Sequence, residues 1–423
     1  MTAYTTQGSK VEFAKQDEFG TAQDTGFKDI RVEGEPTMKT PVGMGNRPNT
    51  LFSNENEQEK PVVIKQAVDD GATIASLIRQ PASAGGDSWL KQMFEAGGYT
   101  VVSVDDTTVD DAGATASVFD VATVGAYDAG YGCYINANYQ WLPALIASVS
   151  SSELTLAMAL PAAPSNGAAV NKALTITPGA MGQITATDLL TIRGHVKAQN
   201  DSNEVQIIGQ DGALTSLADL SLEPNEKVTI EATFGFSDVS EGDSAGPGAN
   251  DFADVETGVR LFHQPYAQFA SANAAGGISA SYHKLISATF KWGVTAEQIV
   301  GFGDEDCKNN TQGWMKKVEP CELTLTMLYD EQKLDDFVSP ESGNASKYVA
   351  IIQPGANERD AGWGLFLPNA HQMSEPEAEF WGNNEHRITV KYTGRPAGYD
   401  SATTNVQANQ PWYFVIGDAS EVS

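Results

Sequence analysis

The hydrophobic pattern along the chain is mostly one of alternation. Val11-Glu12-Phe13-Ala14 alternates, Glu18-Phe19-Gly20-Thr21 breaks the run, and Ile30 and Val32 then alternate with Arg31 and Glu33. Val228, Ile230, Ala232 and Phe234 alternate with Thr229, Glu231 and Thr233. Leu323 and Leu325 do so with Thr324 and Thr326, and Ile388, Val390 and Tyr392 with Thr389, Lys391 and Thr393. A period of two puts one face of a strand in a core and the other outside. Residues 60–66, bounded by Pro61 and rich in Val and Ile, read as a further short strand. Helices are few. Residues 87–98 predict one: Asp87 or Ser88 caps it, Leu90, Met93 and Phe94 share a face, and Gly97-Gly98 ends it. A second is expected over 72–80, where Ile74, Leu77 and Ile78 line one side.

A weak internal repeat organises these elements. Residues 29–35 resemble 287–293, with Gly34 matching Gly293; residues 60–66 match 321–327, and 228–234 match 388–394. Glu223-Pro224 and Glu375-Pro376 precede the last pair. The first copy holds about a hundred extra residues, and the stretch from Tyr99 to Val196 shifts in composition toward Ala, Ser, Gly and Asp. The expected division is therefore a discontinuous first unit (1–100 and 197–245), a small all-β domain inserted at 101–196, a linker over 246–280 and a second unit over 281–423. The fold class is mainly β: two tandem sandwich or barrel-forming units, each with a flanking helix, plus the inserted β domain.

Composition limits the chemistry. The chain has 423 residues, with 55 Asp and Glu against 26 Lys and Arg, a net charge of -29. Such a surface repels nucleic acid and anionic membranes. No segment approaches the ~20 apolar residues that span a bilayer. The first residues lack the pattern of a signal peptide, and three cysteines (Cys133, Cys307, Cys321) without CxxC spacing argue against a disulfide framework. A reducing, cytoplasmic folding compartment is expected. There is no P-loop, GxGxxG, HExxH or GxSxG. His195, His263, His283, His371 and His386 are scattered, each reading as a surface or satisfied core histidine. Asp105-Asp106, Asp110-Asp111 and Asp304-Glu305-Asp306 do not match a calcium loop and read as solvated turns. No catalytic residue, cofactor or metal site is expected.

Two connections stand out. Residues 36–60 and 294–320 each run about 25 residues without core periodicity, a length that is usually functional or ordered by a partner. Met44, Phe52 and Trp314 are apolar residues within them and are the candidates for contact with a neighbouring subunit.

With the polar start and Gly-Thr turn at 9–35, the loop 36–60, the strand and helix of 60–98, and the late strand 226–236 echoed at 386–396, the chain resembles phage major tail tube proteins of the long, flexible, non-contractile type. The resemblance is one of pattern and order; it covers both repeat copies and not the insert. It implies a structural virion protein made in the host cytoplasm, whose sheets join those of neighbouring copies into a barrel around an acidic channel for DNA. It implies partners in the tape measure within the tube and in the terminator and tip proteins at its ends. With two units per chain, three chains supply a pseudo-hexameric ring, and stacked rings form the tube. A head-decoration or spike-like virion protein, or a β-rich secreted hydrolase, are the alternatives.

Overall fold

The computed structural model describes residues 4–34, 36–38, 43–46, 61–64, 68–78, 88–104, 106–125, 127–138, 140–198, 204–244, 266–271, 281–300, 311–328, 347–355, 362–374, 377–379, 387–396 and 410–417. The fold is mainly β.

Strand pairing in the first part runs as a closed antiparallel circuit. Tyr4–Lys15 pairs with Lys28–Asp29 (Glu12 opposite Asp29), and the segment beyond it meets Val68–Leu77 through Val32 opposite Ser76 and Thr37 opposite Thr73. Val68–Leu77 pairs with Thr229–Phe236, which pairs with Glu204–Leu217; that strand pairs with Leu190–Ala198, which returns to Tyr4–Lys15. Glu204–Leu217 is long enough to serve two pairs of neighbours because it bends at Asp211. Asp211 takes a left-handed φ of 52°, and a Cβ at Gly209 or Gly212 would run into the Phe236 ring, so the Gly-Gln-Asp-Gly sequence is what permits the bend. The partner strand breaks at the same level, at Ser237, and continues as Asp238–Ser244.

A second circuit follows the same order. Tyr266–Ser271 pairs with Ser281–Lys291, then Cys321–Leu328, then Arg387–Gly394, then Trp363–Gln372, then Lys347–Gln353, and back to Tyr266–Ser271. Tyr413–Gly417 joins the first half of Trp363–Gln372 and carries Ala173–Thr177 and Thr100–Ser103 beside it.

Inserted in the first circuit, between Val68–Leu77 and Leu190–Ala198, lies a small barrel. Thr107–Thr108, Ala169–Asn171, Gly132–Ala137, Gln140–Ser150, Glu153–Leu156 and Val118–Asp120 pair in that order. Val109 opposite Val121, with the Ala122 N–H donating to the Thr108 carbonyl at 2.9 Å, closes the ends. Closure leaves this small unit no free sheet edge.

Core packing explains the burial pattern. Val349, Ile351, Leu365, Leu367, Phe414 and Ile416 belong to the main core, shared with Phe13, Ile74, Ile192, Phe234 and the helix. Their neighbours Tyr348, Ala350, Ile352, Phe366, Tyr413 and Val415 point the other way, into the core of the barrel. Lys347–Gln353, the first half of Trp363–Gln372 and Tyr413–Gly417 are thus covered on both faces. The helix Trp89–Ala96 has Ser88 as N-cap, whose side chain accepts from the Lys91 N–H, and it stops at Gly97-Gly98, where Gly98 has φ 70°. Trp89 lies against Phe13 (5.0 Å) and Phe234 (5.8 Å), and its indole N–H donates to Ser76. Phe94 and Tyr99 meet Trp292 and Trp412 of the second part.

Several expectations change. Residues 68–77 are a strand, not a helix: seven backbone pairs to Thr229–Phe236 outweigh the helical spacing of Ile74, Leu77 and Ile78. Leu190–Ala198, placed with the insert by composition, is a strand of the first circuit, and Tyr266–Ser271, placed in the linker, is a strand of the second. The inserted domain has its own sheet but shares its core with the second circuit, so it is not separated from the remainder.

Candidate functional site

Within the stretch 294–320, residues 294–300 and 311–318 form the two arms of a β-hairpin. Val294–Val300 and Thr311–Val318 pair from Val294 opposite Val318 outward. The root is tight: Glu319 N–H donates to the Gly293 carbonyl at 2.6 Å, and Gly293 sits at φ 65°, where a Cβ would meet the Glu319 oxygen. The hairpin leaves and re-enters the second circuit, yet it docks on the first. Thr295 pairs with Ser216, and Lys316 and Met315 pair with Gly182 and Gln183.

Alternation sends Trp314 and Lys316 inward and Met315 and Lys317 outward, where Lys317 pairs with Glu297. Trp314 is fully buried, and its indole N–H donates to the Asp211 carbonyl at 3.0 Å. It anchors the hairpin within its own chain and is not available to a neighbouring subunit, which corrects the sequence expectation. Lys316 Nζ donates to the carbonyls of Gly98 (2.5 Å) at the helix exit and Pro178 (2.6 Å). Burial lowers its pKa to about 8. The Asp211 side chain fixes the receiving bend: it accepts from Gly20 N–H at 2.9 Å and from the Ser237 hydroxyl, and burial raises its pKa.

The counterpart of this hairpin in the first circuit is the pair Gly43–Asn46 and Pro61–Ile64, which lies between the second and third positions of its circuit as 294–318 does in the other. Met44 stands in its first strand, opposite Val63. Among the described residues this two-stranded ribbon pairs with nothing else. Phe52 lies outside the described residues.

A second polar constellation escaped the sequence pattern. Glu12, 3% exposed, accepts from Arg193 Nε at 2.6 Å and contacts His195 Nε2 at 2.9 Å. Lys10 pairs with Asp29 at 3.1 Å, and Arg193 lies 3.5 Å over the Phe27 ring. Burial alone would raise the Glu12 pKa, but hydrogen bonds from His195 and Arg193 and the Arg193 charge outweigh it and hold it at about 2. The i, i+2 spacing of Lys10 with Glu12 and of Arg193 with His195 is the signal that could have found it, since it places both members of each pair on one strand face. The cluster balances its charges across three strands and pins them together. His195 is a core histidine that meets Glu12 through Nε2. His371 is half-buried, and His263 and His386 lie outside the described residues.

Cys133 and Cys321 are free, buried thiols; Cys307 lies outside the described residues. Among the described residues, no three His, Cys, Asp or Glu side chains are grouped to hold a metal, and no helix is long and apolar enough to cross a membrane. Asp106 and Asp111 accept backbone N–H groups of Lys172 and Gly113. A void of about 10 Å³ between barrel and second circuit, lined by Leu142, Met158, Ile352 and Phe366 among others, is apolar and about the size of one water.

Circuits, barrel and hairpins define a multi-sheet β protein whose distinguishing features are strand edges and a free ribbon. No protein-family model matches the chain, and no curated protein sequence matches it.

Proposed function

We propose that the chain is a structural virion protein of the tail tube type, carrying two tube units and an inserted barrel, and that its copies polymerise as stacked rings around a DNA channel. The observation that carries this reading is the duplicated circuit: six strands in one order, twice in one chain, each copy with a hairpin at the same place. Two units per chain make three chains equivalent to a six-unit ring, and closed symmetry leaves no unpaired edge around a channel. The net charge of -29 suits a wall past which DNA slides without binding. Tape-measure, terminator and tip proteins are the expected partners, and the virion tail, assembled in the host cytoplasm, the expected location.

Electron microscopy of the purified protein tests it. Hollow tubes or rings with three chains each and an acidic lumen are expected. Discrete spikes or monomers at all concentrations, six chains per ring, or a basic lumen would overturn it.

A further inference from the structure

Within one chain, the second unit's hairpin is received by the first unit at the end of Glu204–Leu217, beyond the start of Leu190–Ala198. The corresponding place on the second circuit is the end of Trp363–Gln372, beyond the start of Lys347–Gln353, whose Lys347 pairs with Ala370. There, His371 and Gln372 pair with Thr393 and Tyr392, and the Met373 N–H donates to the Lys391 carbonyl, on one side only; among the described residues no strand lies on the other. Met373 in this stretch is 51% exposed. Among the described residues there are therefore one docked hairpin with its receiver, one hairpin without a further strand partner, and one receiver without a hairpin.

We infer that the free hairpin, Gly43–Asn46 with Pro61–Ile64, docks on residues 371–374 of a second copy of this chain, as Val294–Val300 docks on Ser216 within the chain. A two-stranded ribbon is at best marginal alone in water, and an open strand end is a template for a further strand. Donor and receiver are different surfaces, so the contact is head-to-tail and generates a ring if the rotation closes. The inference rests on the assembly reading above and specifies its lateral contact.

The test uses two full-length variants in a Cys307→Ser background, one Met44→Cys (with Val62→Cys, opposite Gly45, as the alternative facing) and one Met373→Cys. Mixed, assembled and mildly oxidised, they are expected to give a covalent dimer joining position 44 or 62 of one chain to 373 of the other. Amide exchange at Gln372 and Ser374, which alternate with the Met373 N–H already bonded to Lys391 and so face the open side, is expected to slow at least tenfold in unmodified protein on assembly. Assembled rings with neither the cross-link nor the protection would overturn this docking and leave the assembly reading standing. Protein that stays monomeric at every concentration would overturn both.

Discussion

Two buried ionisable groups make stability rise with pH, in separate windows and for opposite reasons. The Glu12 carboxyl is held at about 2 in the folded chain, below its ordinary 4.5. A depressed carboxylate contributes stability that is fully present above the unfolded pKa and is lost as pH falls from about 4.5 toward 2. Glu12→Gln is expected to cost about 2 kcal/mol at neutral pH, because the Arg193 side chain, 19% exposed, loses its counter-charge. It should also flatten the acid limb of urea-melt stability; an unchanged acid limb would remove Glu12 from the network. Lys316 gives the same sign from the opposite cause, since burial disfavours its charged form. Its folded pKa of about 8 lies below the ordinary 10.5, so the folded chain releases the proton first and stability rises with pH across that window. Thermal midpoints of the wild type, referenced to Lys316→Met, should climb between pH 8 and 10; parallel profiles would show that Lys316 is charged throughout.

Among the elements, the barrel yields the sharpest expectation. Its two stems, Thr100–Ser103 and Ala173–Thr177, pair with each other, with Ser103 opposite Leu174. Residues 104–172 can therefore be replaced by a short Gly-Ser turn without parting the stems. Ile352, Phe366, Tyr413 and Val415 would then lose their cover, at roughly 1.5–3 kcal/mol for each large side chain. The shortened chain should bind an apolar dye and aggregate, and polar replacements at 352 and 366 should restore solubility. A soluble, dye-negative deletion would mean that this face is covered some other way. The same two-sided burial decides what was legible in the sequence. Strands with one wet face, such as 229–236 and 387–394, alternate and could be read directly. Lys347–Gln353 and Tyr413–Gly417 are buried on both sides, which removes the polar half of the signal. Residues 68–77 satisfy helical and strand spacing alike, and the partner that decides between them lies far along the chain. Of the candidate contacts, Met44 falls on the free hairpin, whereas Trp314 turns inward because its strand docks on Ser216 and the Asp211 bend, a long-range pairing that no local pattern encodes.

For the whole molecule, the duplicated circuit makes assembly a question of which edges remain open after the chain has satisfied itself. One hairpin is used internally and one is not, so removing residues 43–64 should leave a folded chain that no longer forms rings, as judged by sedimentation and microscopy. Assembly unimpaired by that deletion would place the lateral contact elsewhere. The stitching of Thr100–Ser103 and Ala173–Thr177 onto Tyr413–Gly417 adds a consequence in time. Leu174 finds Ile416 only after most of the polypeptide has been made, and contacts this distant in sequence fold slowly. During synthesis the stems of the barrel have no sheet to join, and the surface that seats the barrel does not yet exist. A ribosome-bound chain stopped before residue 413 should therefore hold a closed barrel on loose stems, sensitive to protease at 100–103 and 173–177. Completion of the strand Tyr413–Gly417 would be the event that seats the barrel on the second circuit.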